Sequence, residues 1–305
     1  MADIILHHYP TSVFSERVRL AMGLKSLSWY SVTIPGMIPK PDLMPLTGGY
    51  RRTPVMQIGA DIYCDTLLIL RKIEALHPKP SLYPGGSEGL ATAIAWWADK
   101  AIWWPVLGVL ADTISAKIPA DFVAERKAFG FPLSQEDVAP KLHRHLQQGA
   151  AHLRWLALML SDGRPFLMGD APSAADLAAY SYFWVLESQG GAEAVARLPF
   201  NPLRDWATRV CAIGYGHPME MTAREALSIA RAADPEALHL QIDGDPSGLK
   251  PGQVVIVRAD DTGRDPVRGT LLAANTSEVI IRSEHPKVGQ VNIHFPRVGF
   301  DVVAA

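Results

Sequence analysis

Cysteine is scarce in this 305-residue chain: Cys64 and Cys211 are the only two, far apart and outside any C-x-x-C. That excludes a disulfide framework and a zinc knuckle. No run approaches the ~20 apolar residues of a membrane span, so no membrane partner is expected. There is no large excess of either charge, with 29 lysines and arginines against 31 carboxylates. Nothing resembles the basic stripe of a nucleic-acid binder, so nucleic acid is not an expected partner. Met1-Ala2-Asp3-Ile4 has none of the basic and apolar regions of a secretory leader. A reducing cytoplasm is the expected compartment.

What is present points to several domains. The length fits two or three, and 48% hydrophobic residues is ample for their cores. Residues 1–85 carry nine basic side chains against six acidic ones, which suits a small anionic ligand, whereas residues 86–239 carry thirteen against seventeen. His77-Pro78-Lys79-Pro80 through Pro84-Gly85-Gly86-Ser87 reads as a linker. We expect a first domain at 1–80, an all-α domain at 88–235 and a small β domain at 248–305.

The chain is organised around Gly49–Leu70. Its residues read as a strand at Val55–Ile58, a turn at Gly59-Ala60-Asp61, a strand at Ile62–Cys64 and then a helix. Thr53-Pro54 precedes the first of these strands. A proline there suits an edge or a cis bond. Asp65-Thr66 opens the helix, where side-chain oxygens cap free amides and the amides attract an anion. Upstream, Asp3–His8 reads as a strand, Thr11–Met22 as loop and helix ending near Gly23, and Ser28–Ile34 as a second strand. The order β-α-β, loop, β-β-α is thioredoxin-like.

T-P-V followed by C-D-T-L-L-I resembles the glutathione half-site of the glutathione S-transferase superfamily, whose usual pattern is V-P, a two-strand turn, then E-S or D-S. Thr53, Asp65 and Thr66 depart from it while keeping the chemistry. T-S-V-F-S-E-R-V-R-L is similar to the S/C-P-F-S-x-R-V-R segment of serine- and cysteine-type members. The resemblance puts the active residue on Ser12, with Val13 replacing the usual proline. Ser12 would activate the bound thiol rather than act as a nucleophile. A hydroxyl donated to a thiolate beside a helix N-terminus favours the ionised form. Plain helix capping needs the same residue type. Tyr9 and Ser15 are the alternatives. The implied glutathione contacts are Thr53, Pro54, Val55, Asp65 and Thr66. Lys40, Arg51 and Arg52 lie where the family meets the glycine end, although each could equally be a solvated loop charge.

In the α-rich region, Trp96, Trp97, Trp103 and Trp104 recur at a seven-residue offset, implying two pairs along one helix that Pro105 kinks or ends. Core packing is one reading and an aromatic wall for an apolar co-substrate the other. His143, His145 and His152 on a helix over 134–161 read as a solvated face, not metal ligands. Ser173 and Asp176 form a capping box that resembles the buried folding box of the family's second domain. Helices near 201–213 and 222–233 complete the all-α region.

Beyond it come short β runs at Gln253–Ala259, Val267–Ala274, Glu278–Ser283, Gln290–Phe295 and Val298–Val303, as in a small barrel or SH3-like sheet. Asp243–Gly248 is too short a connection to let this segment swing free. We expect it to dock on the helical domain or on a partner subunit. The resemblance, which covers about residues 1–235, implies a homodimeric glutathione transferase-like enzyme that uses no metal and acts on an apolar electrophile. The alternatives are a glutathione-dependent isomerase or lyase, or a non-catalytic glutathione-binding or regulatory protein.

Overall fold

A computed structural model describes residues 3–238 and 246–305. The first half of the connection at Asp243–Gly248 lies outside the described residues. In chain order, the first elements are β1 (Ile5–His8), α1 (Val13–Leu24), β2 (Ser28–Thr33), α2 (Met44–Thr47), β3 (Val55–Ile58), β4 (Asp61–Cys64) and α3 (Thr66–Leu76). Helices follow: α4 (Glu88–Trp97), α5 (Trp103–Ile114), α6 (Ala120–Phe129), α7 (Gln135–Val138), α8 (Leu142–Met159), α9 (Ala174–Ala196) and α10 (Arg204–Cys211). Then come β5 (His217–Glu220), α11 (Ala223–Ala232), β6 (Val254–Ala259), β7 (Val267–Ala274), β8 (Glu278–His285), β9 (Gly289–Pro296) and β10 (Phe300–Ala304). Among the described residues no helix is long and apolar enough to cross a membrane.

Two compact units are drawn from these elements. One uses the segments Met1–Ser15, Ser28–Lys72 and His217–Ala305; the other uses Glu16–Leu27 and Ile73–Gly216. In the first, a ten-stranded sheet runs in the order β10-β6-β7-β8-β9-β4-β3-β1-β2-β5. The thioredoxin-like strands β4-β3-β1-β2 occupy one part of it. The sequence gives no strand signal at β5, where His217–Glu220 is exposed throughout and lacks apolar alternation, yet it extends the sheet as a parallel edge on β2. The Thr53–Pro54 bond is cis.

The C-terminal strands form an antiparallel meander whose last strand returns beside its first. This segment docks on the first-domain sheet, a partner the sequence does not suggest: β9 pairs in parallel with β4, matching Asp61 with Asn292, Ile62 with Ile293 and Tyr63 with His294. It also packs against α11, the last helix of the expected all-α region. An uncovered β4 edge would be open to pairing, and β9 covers it so that all four residues of β4 are buried. Further contacts hold the segment. Tyr50 stacks edge-on against Phe295 at 5.7 Å. Gly48 sits at φ +60°, and a Cβ there would stand 3.0 Å from Val267 and 3.1 Å from Ile293. Only glycine suits both the conformation and the gap.

In the second unit, Arg17 is buried and donates to both carboxylate oxygens of Asp99 at 3.0 and 2.8 Å, and to the Tyr182 hydroxyl at 3.0 Å. Asp99 lies in a π-helical turn, Ala98–Ile102, that separates the two tryptophan pairs. α5 then continues through Pro105, which sits in its first turn where a missing donor costs little. Trp103 is buried against Tyr182 and Phe131, while Trp97 stacks on Trp155. His143 is exposed; His145 packs on Gly108 and His152 on Trp97. The capping box at α9 forms, and Asp176 also accepts the Leu167 N–H and the Trp206 indole N–H, both at 2.8 Å.

The junction of β4 and β9 is charged at its centre. His294 Nε2 lies 3.0 Å from an Asp61 oxygen, its Nδ1 lies 3.6 Å from Glu278, and its ring stacks on Tyr63 at 4.4 Å. Burial opposes protonation of His294, but hydrogen bonding to Asp61 and the pull of Glu278 raise its pKa above the ordinary 6.5. Burial likewise opposes ionisation of Asp61, yet His294, the Glu236 N–H and Asn292 hold its pKa below the ordinary 3.8. A raised histidine stabilises the fold fully below about pH 6.5 and loses that contribution as pH climbs through the folded value. A lowered carboxylate contributes above about pH 3.8 and loses it as pH falls. Stability from this pair should therefore peak between those limits. His294→Ala should cost about 3 kcal/mol near pH 6, since it leaves a buried carboxylate without its partner. The loss should shrink at pH 9 in denaturant titrations; an equal loss at both would show that packing, and not charge, holds the junction.

Candidate functional site

Strand register assembles the candidate site. Val32, His7, Val55 and Cys64 form one row across β2, β1, β3 and β4. One residue further, the chain leaves β1 at His8 and β4 at Asp65, and enters β3 from Pro54. The loop Tyr9–Ser12, the Thr53–Pro54 bond and the start of α3 thus emerge at the same end of the sheet. His7 in that row is buried, and burial outweighs its Gln57 hydrogen bond to bring its pKa to about 4, so it is neutral. Burial, then Asp65, push the Cys64 thiol well above its ordinary range, so it remains protonated.

Asp65 stands at φ +72°, one of two described non-glycine residues with positive φ. Aspartate tolerates this left-handed conformation, although it costs energy, and such residues cluster at binding sites. One carboxylate oxygen accepts the Leu67 N–H at 3.0 Å and so caps α3. Thr66 is buried beside it as the first helical residue. Asp65 and Thr66 accordingly sit where free amides of α3 converge.

Ser12 is the residue before α1. Its N–H donates to Tyr9 O at 3.1 Å. Its Oγ accepts two bonds from Ser15, from the N–H at 3.2 Å and from the hydroxyl at 2.8 Å. Ser12 thus caps α1, and with both lone pairs used its proton is left to donate. Ser12 is only 3% exposed and Ser15 is fully buried. Tyr9 is half-buried, with the Lys40 ammonium 5.9 Å from its ring centre.

The basic residues have partners within the protein. Lys40 is buried and donates to Arg51 O and to Thr53 Oγ1, both at 2.9 Å. Arg51 pairs with Asp265 at 2.6 Å, and Arg52 pairs with Asp261 and the Thr262 carbonyl. The β6–β7 loop thus grips the segment that leads into the cis bond. The sequence marks Thr262–Pro266 only as a break between two β runs. The complementarity of Asp261 and Asp265 to Arg51-Arg52 was the available signal, although about 210 residues separate the partners. Among the described residues no group of three or more His, Cys, Asp or Glu side chains could hold a metal ion.

Comparison with known proteins agrees with this geometry. The glutathione S-transferase N-terminal domain family matches residues 6–81, and the C-terminal domain family matches residues 119–213. No curated protein matches the sequence. Among solved structures, a GST-like protein from Pseudomonas syringae is 36% identical over 100% of both chains, with a TM-score of 0.81. That likeness takes in the C-terminal strands. FzlA from C. crescentus shares the fold at 21% identity, covering 74% of this chain and 92% of its own, with a TM-score of 0.52. A poplar glutathione transferase F1 is 16% identical, covering 76% of this chain and 100% of its own, with a TM-score of 0.54. The chain, with its thioredoxin-like strands, helical unit and additional C-terminal strands, belongs to the glutathione S-transferase superfamily.

Proposed function

We propose that this protein binds glutathione and activates its thiol for attack on an apolar electrophile, working as a homodimer in the cytoplasm without a metal. The carrying observation is the register that brings the Ser12 loop, Thr53–Pro54 and Asp65–Thr66 to one end of the sheet. In this reading the γ-glutamyl group meets Asp65, Thr66 and the α3 amides. The cysteinyl backbone pairs alongside Thr53, Pro54 and Val55. Ser15 orients Ser12, whose proton then stabilises the thiolate. The thiol proton passes to solvent, the sulfur lone pair forms the new bond to carbon, and the electrophile's leaving group departs with the electrons of the broken bond. Lys40 or Arg52 would receive the glycine carboxylate, which requires Arg52 to share its guanidinium with Asp261.

A second reading is a glutathione-binding or regulatory protein without turnover. The burial of Ser12 and the internal partners of Lys40, Arg51 and Arg52 favour it. An isomerase or lyase on the same fold would use the same thiolate, since fold does not fix chemistry.

Asp65→Asn keeps a residue tolerated at positive φ while removing the charge. It should weaken glutathione binding by about 2 kcal/mol, some thirtyfold, in calorimetric titration. Unchanged affinity would remove Asp65 from the site. Ser12→Ala should raise the pKa of the bound thiol by about one unit and lower turnover with a generic electrophile, with little change in affinity. Equal thiolate titration curves in the two proteins would move the role to Tyr9 or Ser15. Binding without turnover in the unaltered protein would favour the regulatory reading.

A further inference from the structure

β10 ends the ten-stranded sheet, bonded to β6 on one side only among the described residues. A cleft of about 550 Å³ runs along it, lined by Arg258, Arg264 and Arg297, by Asp260, and by the successive residues Gly299 to Val303. Side chains alternate between the faces of a strand. Gly299, Asp301 and Val303 share a face with Arg258 and Asp260, so the cleft lies over the exposed face of β6 and β10, beside the free edge of the sheet.

The hydrogen-bond pattern identifies which main-chain groups face the free edge. Asp260 N–H donates to Gly299 O and Ala305 N–H donates to Val254 O, both at 3.0 Å. With Asp301 opposite Arg258 and Val303 opposite Ile256, antiparallel alternation directs the main-chain groups of Phe300, Val302 and Ala304 away from β6. Edges of this kind are usually shielded by several charges or by proline. β10 carries only Asp301 as a charged side chain, and the nearby Val298 and Val303 are about half exposed.

We propose that the outer edge of β10 is a docking site for an extended peptide segment bearing acidic side chains. Strand addition would satisfy the outward N–H and C=O groups. The three guanidiniums, from β6, the β6–β7 loop and the β9–β10 turn, meet carboxylates on alternate residues of the incoming strand. Arg264 is held only loosely, 3.5 Å from Asp301 in a pair more than half exposed, which a ligand carboxylate can exchange at little cost. The site is independent of the proposed glutathione site, so failure of either leaves the other standing.

The test uses the full chain and two fluorescein-labelled octapeptides, one alternating valine with glutamate and the other valine with lysine. Fluorescence anisotropy should detect binding of the glutamate peptide only. Binding should weaken with added salt and fall at least tenfold in Arg264→Glu and Arg297→Glu. Hydrogen exchange on the unaltered protein should show new protection at the amides of Phe300, Val302 and Ala304, a readout that holds even if the variants fold poorly. Equal binding of the lysine peptide, no binding, or protection elsewhere would overturn the proposal. So would a dimer seen by light scattering that depends on Arg264 while neither peptide binds, because a second copy would then cover the edge.

Discussion

The parallel pairing of β4 with β9 is the contact on which the rest of the sheet unit depends. It covers a strand that is buried along its whole length, Asp61 included, and it joins two sheets that could each have ended there. Once β9 is in place, its neighbours follow. Tyr50 enters the core among Phe295 and Phe300, α2 ends on a glycine pressed by β7 and β9, and the β6–β7 loop reaches Arg51 and Arg52. At the centre, Asp61 receives His294, Asn292 and the Glu236 N–H, so a buried carboxylate has enough donors to remain charged.

That arrangement changes what the site can offer a ligand. Lysine and arginine at a loop beside a helix start look free to bind a carboxylate. Here they are spent on carbonyls and acids of the protein's own chain, and Lys40 in particular is a buried tie between Arg51 and Thr53. In the proposed reading, apart from whatever share of Lys40 or Arg52 a carboxylate can claim, the groups on offer are directional: the cap at Asp65, the Thr66 hydroxyl, the amides of α3 and the Ser12 proton. Such a site depends more on the exact seating of its loop than on its net charge, and the loop is seated by the C-terminal strands.

Local signals carried most of the fold. The strands at Val55–Ile58 and Val267–Ala274 were legible to the residue, and so was the capping box of Ser173 and Asp176, because alternation and caps act within a few residues. Long-range partners were not legible. β5 lacks alternation because both faces are exposed, and it exists only because β2 offers an edge. The π-turn before Trp103 has no local signature, although Asp99 within it meets Arg17, 82 residues away. At the candidate site, the places of Ser12 before α1 and Asp65 before α3 were legible from a motif and a cap, whereas the partners of Arg51 and Arg52 belong to a turn whose position only the assembled sheet defines.

The sequence distance across the β4–β9 seam has a consequence during synthesis. Asp61 and Asn292, which face each other, are 231 residues apart. At ~5–20 residues per second a ribosome takes roughly ten to fifty seconds to supply the second strand after the first. Throughout that interval the nascent thioredoxin-like half presents an unpaired strand edge carrying Ile62, Tyr63 and Cys64. Strands β6 to β9, in contrast, each pair with a neighbour in sequence, and β10 closes on β6, so the five can form soon after they emerge. The same strands that complete the native sheet are thus the last to reach the edge that most needs cover. In the cell, this chain's exposure to misassembly is set by elongation time as well as by the stability of the finished fold.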